Sequence, residues 1–120
     1  MTSTSRATVR LPRDATLRDA AGDALSIRLC AATDGRWEVV ENSVPAGYAG
    51  PPLHVHDRID ETFYVIEGEL TFRLDDDVVT GGSGTTVHVP RGVPHTFANF
   101  GAERCRYLGI VGATDQRGNT

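Results

Sequence analysis

From Leu25 onward the apolar residues of this chain recur at every second position far more often than at helical spacing, in short runs separated by glycine and aspartate. A period of two puts alternate side chains on opposite faces of an extended strand. The runs fall at 25–31, 36–44, 53–56, 61–66, 69–74, 78–80, 85–89, 95–100 and 105–111. One flat, twisted sheet does not accommodate that many short strands without exposing vulnerable edges. The pattern therefore predicts an all-β sandwich or barrel.

Between the runs stand residues with a turn mechanism: Asp34-Gly35, Glu67-Gly68, Asp75-Asp76-Asp77, Gly81-Gly82-Ser83-Gly84 and Arg91-Gly92. Glycine reaches left-handed backbone without steric cost, and aspartate bonds its own main chain. The three aspartates thus read as a solvated hairpin tip rather than a cation site. At 120 residues and 12.9 kDa the chain makes one domain. Its organisation reads as an N-terminal arm at 1–22 with a short helical stretch at 15–21, a barrel at 23–112 and a flexible tail at 113–120.

Charge removes several classes of function. All 12 basic residues are arginine, against 16 acidic ones, so the net charge is −4 and no lysine exists to form a Schiff base or anchor pyridoxal phosphate. The arginines are scattered rather than clustered, which argues against nucleic acid and against an anionic membrane surface as partners. Residues 1–14 are polar, without the apolar stretch of a secretory leader, and no segment is long and apolar enough to span a bilayer. A cytoplasmic location is expected. Cys30 and Cys105 lie far apart with no Cys-x-x-Cys spacing, so both are expected to be buried free thiols.

The chemistry gathers around three of the four histidines. His54-Val55-His56 on an extended segment presents two imidazoles on one face with Val55 on the other. Glu61 opens the next run, aligned with Phe63 and Val65, and His95 opens a later one, aligned with Phe97 and Asn99. His88 alternates out of phase with Val87 and Val89 and should face away from the cavity.

At this point the sequence resembles the cupin superfamily, through two motifs. In the first, His54-x-His56 is followed after four residues by Glu61 and after six more by Gly68. The second is matched in full by Gly84, Pro90, Gly92, His95 and Asn99, and fifteen residues separate Gly68 from Gly84, as in compact bacterial members. One departure lies upstream, where Gly47 precedes His54 by six residues instead of the family's five, a loop longer by one. The resemblance implies a double-stranded β-helix, a jelly-roll barrel, with one divalent transition metal ion held by His54, His56, Glu61 and His95.

Three imidazoles and a carboxylate suit Fe, Mn, Ni, Co, Cu or Zn and are too rich in nitrogen for Ca or Mg. An octahedral ion with those four ligands keeps two positions open for water, dioxygen or a chelating substrate, whereas a tetrahedral zinc is closed. Asn99 is expected to tie down backbone, Gly68, Gly84 and Gly92 to allow tight turns, and Pro90 and Pro94 to stiffen the approach to His95. Trp37, Val39, Phe63, Val65, Leu70, Phe72, Leu74 and Phe97 are expected to line an apolar cavity, and Tyr48, Arg58 and Tyr64 to stand at its mouth.

Similar single-domain cupins suggest a metal-dependent dioxygenase-type oxidoreductase acting on an aromatic or enolic small molecule, with Glu61 as the base. A non-redox cyclase or isomerase, for example of polyketide intermediates, and a non-catalytic ligand-binding or sensor cupin are the alternatives. The partners expected are that small-molecule substrate and a second copy of the chain in a homodimer.

Overall fold

Strict alternation over β-branched and aromatic residues yields two antiparallel sheets facing each other across one core. A computed structural model describes residues 16–17, 25–26 and 36–113. The strands are β1 (Thr16–Leu17), β2 (Leu25–Ser26), β3 (Trp37–Val44), β4 (Ile59–Glu67), β5 (Leu70–Leu74), β6 (Asp77–Gly81), β7 (Thr86–Val89), β8 (His95–Ala98) and β9 (Cys105–Ala113). The larger sheet runs β1-β2-β3-β9-β4-β7 and the smaller β6-β5-β8. This is the all-β architecture of short strands that the alternation predicts.

The last strand closes the larger sheet. β9 inserts between β3 and β4, pairing Val44 with Cys105 and Trp37 with Gly112 on one side, and Phe63 with Gly109 and Asp60 with Gly112 on the other. The hairpin from β5 to β6 turns at Asp75, whose φ of 55° is left-handed. Aspartate tolerates that region better than most residues, so the Asp75-Asp76-Asp77 run serves the turn.

Phe63, Val65, Leu70, Phe72, Val87, Val89, Val44, Cys105 and Tyr107 form the buried cluster between the sheets. Phe63 contributes to three ring pairs, at centroid distances of 5.3 Å to Phe72, 5.3 Å to Phe97 and 5.9 Å to Tyr107. Each fully buried side chain of this size contributes about 2–3 kcal/mol. Cys105 is a buried free thiol, as expected; Cys30 lies outside the described residues.

Several sequence expectations require correction. Thr16–Leu17 is a strand paired with Leu25–Ser26, so the helical stretch expected at 15–21 is not helical there, and its other residues lie outside the described ones. The run at 53–56 makes a single bridge at His54 instead of a strand, because Pro51 and Pro52 just before it lack ladder donors. Trp37 and Val39 do not face the core: Trp37 is 52% exposed, and Val39 pairs with Ile110 on the same outward side. Asn42 and Val44 occupy inward positions of β3, one residue out of phase with Trp37 and Val39. Tyr64 follows buried Phe63, so it points outward with 43% exposure and does not stand at the mouth. Phe63 and Phe72, at 4% and 1% exposure, are packed core rather than cavity wall.

Candidate metal centre

Three segments of the chain carry the site. His54 and His56 lie in the connection before β4, Glu61 in β4 and His95 at the start of β8. Their ligating atoms all fall within 4.8 Å of one another, so the four residues named from the sequence are the four that converge. Glu61 Oε1 stands 2.9 Å from His95 Nε2 and 3.3 Å from His56 Nε2. The ring centroids lie 4.3 Å (His54–His95), 4.9 Å (His54–His56) and 5.3 Å (His56–His95) apart.

Backbone supplies the aim. His54 and His95 exchange main-chain bonds in both directions, at 3.0 and 2.9 Å, which places the two imidazoles side by side. Each ring is then fixed by the carbonyl two residues before it: His54 Nδ1 donates to Pro52 O at 2.8 Å and His95 Nδ1 to Val93 O at 2.8 Å. With the proton committed to Nδ1, Nε2 is left as a lone-pair donor into the site. The amide of Gly92 holds the His56 carbonyl at 2.7 Å. Sequence reasoning did not identify these carbonyl clamps, although the spacing of two residues is visible in Pro52-x-His54 and Val93-x-His95.

Gly50 was also missed. Its φ is +81°, and a Cβ there would lie 1.7 Å from the carbonyl oxygen of Phe97. Only glycine lets the segment between Gly47 and His54 run so close along β8. That proximity is confirmed by Thr96 Oγ1 donating to Pro51 O and by the amide of Asn99 donating to Tyr48 O at 2.9 Å. Asn99 itself is fully buried and ties down backbone as expected, giving its amide protons to the carbonyls of Val44, Pro45 and Glu103 and accepting from Gly101 N.

The donor set fits a transition ion. With a metal–nitrogen bond of about 2.1 Å, two donors at right angles stand about 3.0 Å apart and two opposite donors about 4.2 Å apart. The Glu61 to histidine separations match the first figure, and the whole cluster falls close to that range. Exposure grades across the site: His95 is buried at 2%, while the side chains of Glu61 and His56 are 20% and 34% exposed. One side of the cluster is therefore open to small molecules. Phe97, Tyr48, Leu74 and Val93 are half-buried against the hydrophobic core, with Leu74 paired directly to His95. Arg58 is exposed in the turn between His56 and β4. His88 is exposed on the outer face, where its Nδ1 meets Thr62 Oγ1 at 2.8 Å, away from the cluster as expected.

Residues 40–111 match the family described as Cupin domain, Cupin_2. Over 71 residues the chain is 39% identical to oxidoreductase iacF of Pestalotiopsis fici, a match over 53% of this chain and 35% of that protein. Over 65 residues it is 35% identical to quercetin 2,3-dioxygenase of Bacillus subtilis, covering 54% of this chain and 19% of that one. The chain thus spans about a third and about a fifth of the lengths of these two relatives. A solved structure described as a predicted oxalate decarboxylase from Thermotoga maritima superposes with a TM-score of 0.69 at 19% identity, covering 75% of this chain and 78% of that one. The Cnp3 cupin domain of Schizosaccharomyces pombe superposes with a TM-score of 0.63 at 21% identity, over 70% and 60%. The two structural likenesses speak for the fold. Among the described residues no helix is long and apolar enough to cross a membrane.

Proposed function

We propose, of a chain that belongs to the cupin domain family, that it is a metal-dependent oxidoreductase of dioxygenase type acting on a small aromatic or enolic substrate. The observation that carries the reading is Glu61 Oε1 set between His56 Nε2 and His95 Nε2, on the accessible side of an otherwise clamped histidine cluster. The names of the two curated relatives, an oxidoreductase and a quercetin dioxygenase, support the same class.

His54, His56, Glu61 and His95 would hold one transition ion, which when bound supplies Lewis acidity and, if redox-active, electrons for dioxygen chemistry. The chain's own residues do the rest. The carbonyls of Pro52 and Val93 keep two imidazoles in one tautomer and one orientation, so little reorganisation is needed when substrate arrives. Glu61 is the group able to take a proton from a phenolic or enolic O–H, since its carboxylate is both partly exposed and held near the centre. The half-buried rings of Phe97 and Tyr48, 6.2 Å apart, offer apolar surface to a flat substrate and limit water on that side.

Substrate-dependent oxygen uptake by iron-, manganese-, nickel-, cobalt- or copper-loaded protein, measured over a panel of phenols and enols, tests this. Uptake lost in Glu61→Gln supports it. Conversion without oxygen, equally fast with zinc, replaces it by a cyclase or isomerase, and recovery of an unaltered ligand with no turnover under any metal replaces it by a binding function.

A further inference from the structure

The outer face of the larger sheet carries a second concave site, separate from the histidine cluster. Two rows of outward residues meet there. Trp37, Gly112 and Asp60 stand in register across β3, β9 and β4, and Ile110, Thr62 and His88 stand in register across β9, β4 and β7. Together they line a groove of about 230 Å³.

Trp37 is 52% exposed, and its ring lies over Gly112, where a Cβ would come within 2.9 Å of the indole. The missing side chain at Gly112 is what lets a large aromatic lie against the sheet at that point. β9 lies between β3 and β4, so the indole over Gly112 leans from Trp37 toward Asp60 on the far side of that strand. Opposite the indole stand acceptors and donors on a rigid strand. Asp60 Oδ1 is oriented by the amide of Arg91 at 2.9 Å, and Thr62 and His88 are locked to each other at 2.8 Å. An apolar wall facing a carboxylate and a hydroxyl–imidazole pair selects a ring with a proton donor on its edge.

We propose that this groove is a binding site for a single hydroxylated aromatic ring, held between the Trp37 indole and the Asp60 carboxylate, independent of the metal centre. Asp60 and Thr62 flank Glu61 in β4 but project to the opposite face, so the two sites share a strand and no side chain.

Trp37 is the one tryptophan of the chain, which makes its emission a direct report of the groove. The probe is p-cresol, compared with 4-methylanisole, whose shape is similar but whose oxygen carries no proton. Excitation is at the red edge of absorption, where phenols are transparent. In the free, full-length protein acrylamide should quench Trp37 efficiently. Saturating p-cresol should change its emission and shield it, while 4-methylanisole should bind about tenfold more weakly. Asp60→Asn keeps the shape and should weaken p-cresol by a similar factor. His54→Ala/His56→Ala should leave p-cresol binding unchanged, which separates this site from the metal centre.

No saturable response to p-cresol overturns the proposal, as does equal affinity for the two probes or an unaffected Asp60→Asn. A Trp37 already shielded from acrylamide before any probe is added also overturns it, since a second copy or another part of the chain would then occupy the groove.

Discussion

His54 and His95 are hydrogen-bonded to each other through both of their backbones, amide to carbonyl in each direction, at 3.0 and 2.9 Å. Forty-one positions apart in sequence, they form a doubly hydrogen-bonded antiparallel pair, and their imidazoles inherit that fixed spacing. The site is thus assembled by main chain before any metal is considered, and its consequences can be tested piece by piece.

Because each ring is clamped through Nδ1, replacing either His54 or His95 by alanine should remove a donor without unfolding the barrel. We expect metal content per protein, measured by elemental analysis after purification without a chelating tag, to fall below one tenth of the wild-type value in the double variant. The rise in thermal midpoint on metal addition should vanish with it. For a wild-type protein at a thousandfold excess over Kd that rise corresponds to about 4 kcal/mol.

Glu61→Gln preserves shape and removes the charge and the basic oxygen. Turnover should drop at least about 100-fold if Glu61 moves the proton, while a metal held by three remaining imidazoles should bind more weakly but still be detected. Retained turnover would mean that Glu61 is a ligand and nothing more.

Gly50→Ala places a methyl where the Phe97 carbonyl oxygen already is, 1.7 Å from the ideal Cβ, in a left-handed conformation. The conformation alone costs about 1–2 kcal/mol, and the clash forces the 47–54 segment away from β8. Stability in urea should fall by more than about 2 kcal/mol, and metal affinity should fall with it because His54 rides on that segment. Gly84→Ala is the control: it has positive φ but nothing within 4 Å of an added Cβ, so it should lose stability without losing metal.

Asn99 satisfies three carbonyls and one amide with one buried side chain. Asn99→Ala should cost about 3 kcal/mol or more by leaving those groups unpaired. It lies just beyond the end of β8 that is opposite His95, about 13 Å from it along the extended chain, so the folded fraction should keep full metal stoichiometry. The urea midpoint and the metal content of the same samples check both halves of this expectation.

Burial, with the carboxylates of Glu67 and Glu69 adding to it, pushes the Cys105 thiol up to about 11. A folded-state value above the ordinary 9.0 means that the stabilisation is complete below pH 9 and lost as pH climbs through 11. Stability should therefore decline by about 1.4 kcal/mol per pH unit across that window, and the slope should be reduced in Cys105→Ala. At pH 8 the native thiol should resist iodoacetamide, whereas the urea-unfolded chain reacts freely.

Much of the fold was legible because strand alternation is a local property. Phe63 and Val65, or Phe72 and Leu74, announce a face by their spacing alone, and the turn at Asp75 is written in its side chain. The four converging residues were legible for another reason, namely that a histidine pair, a carboxylate and a third histidine at family spacing have little other cause to occur together. Trp37 and Val39 escaped, since a run such as Trp37-Glu38-Val39-Val40 alternates plausibly in either phase, and only pairing with Gly112 and Ile110 decides which side faces the core.

The order of residues alone therefore settled that this chain is a barrel of short strands and which side chains could meet a cation. Tertiary structure decided the facing of β3, the carbonyl clamps behind His54 and His95, the obligate glycine at Gly50 and the groove beneath Trp37. Each of these depends on what lies across a strand pair rather than along the chain, and a partner forty or seventy positions away leaves no periodic mark in sequence for its neighbour to be read from.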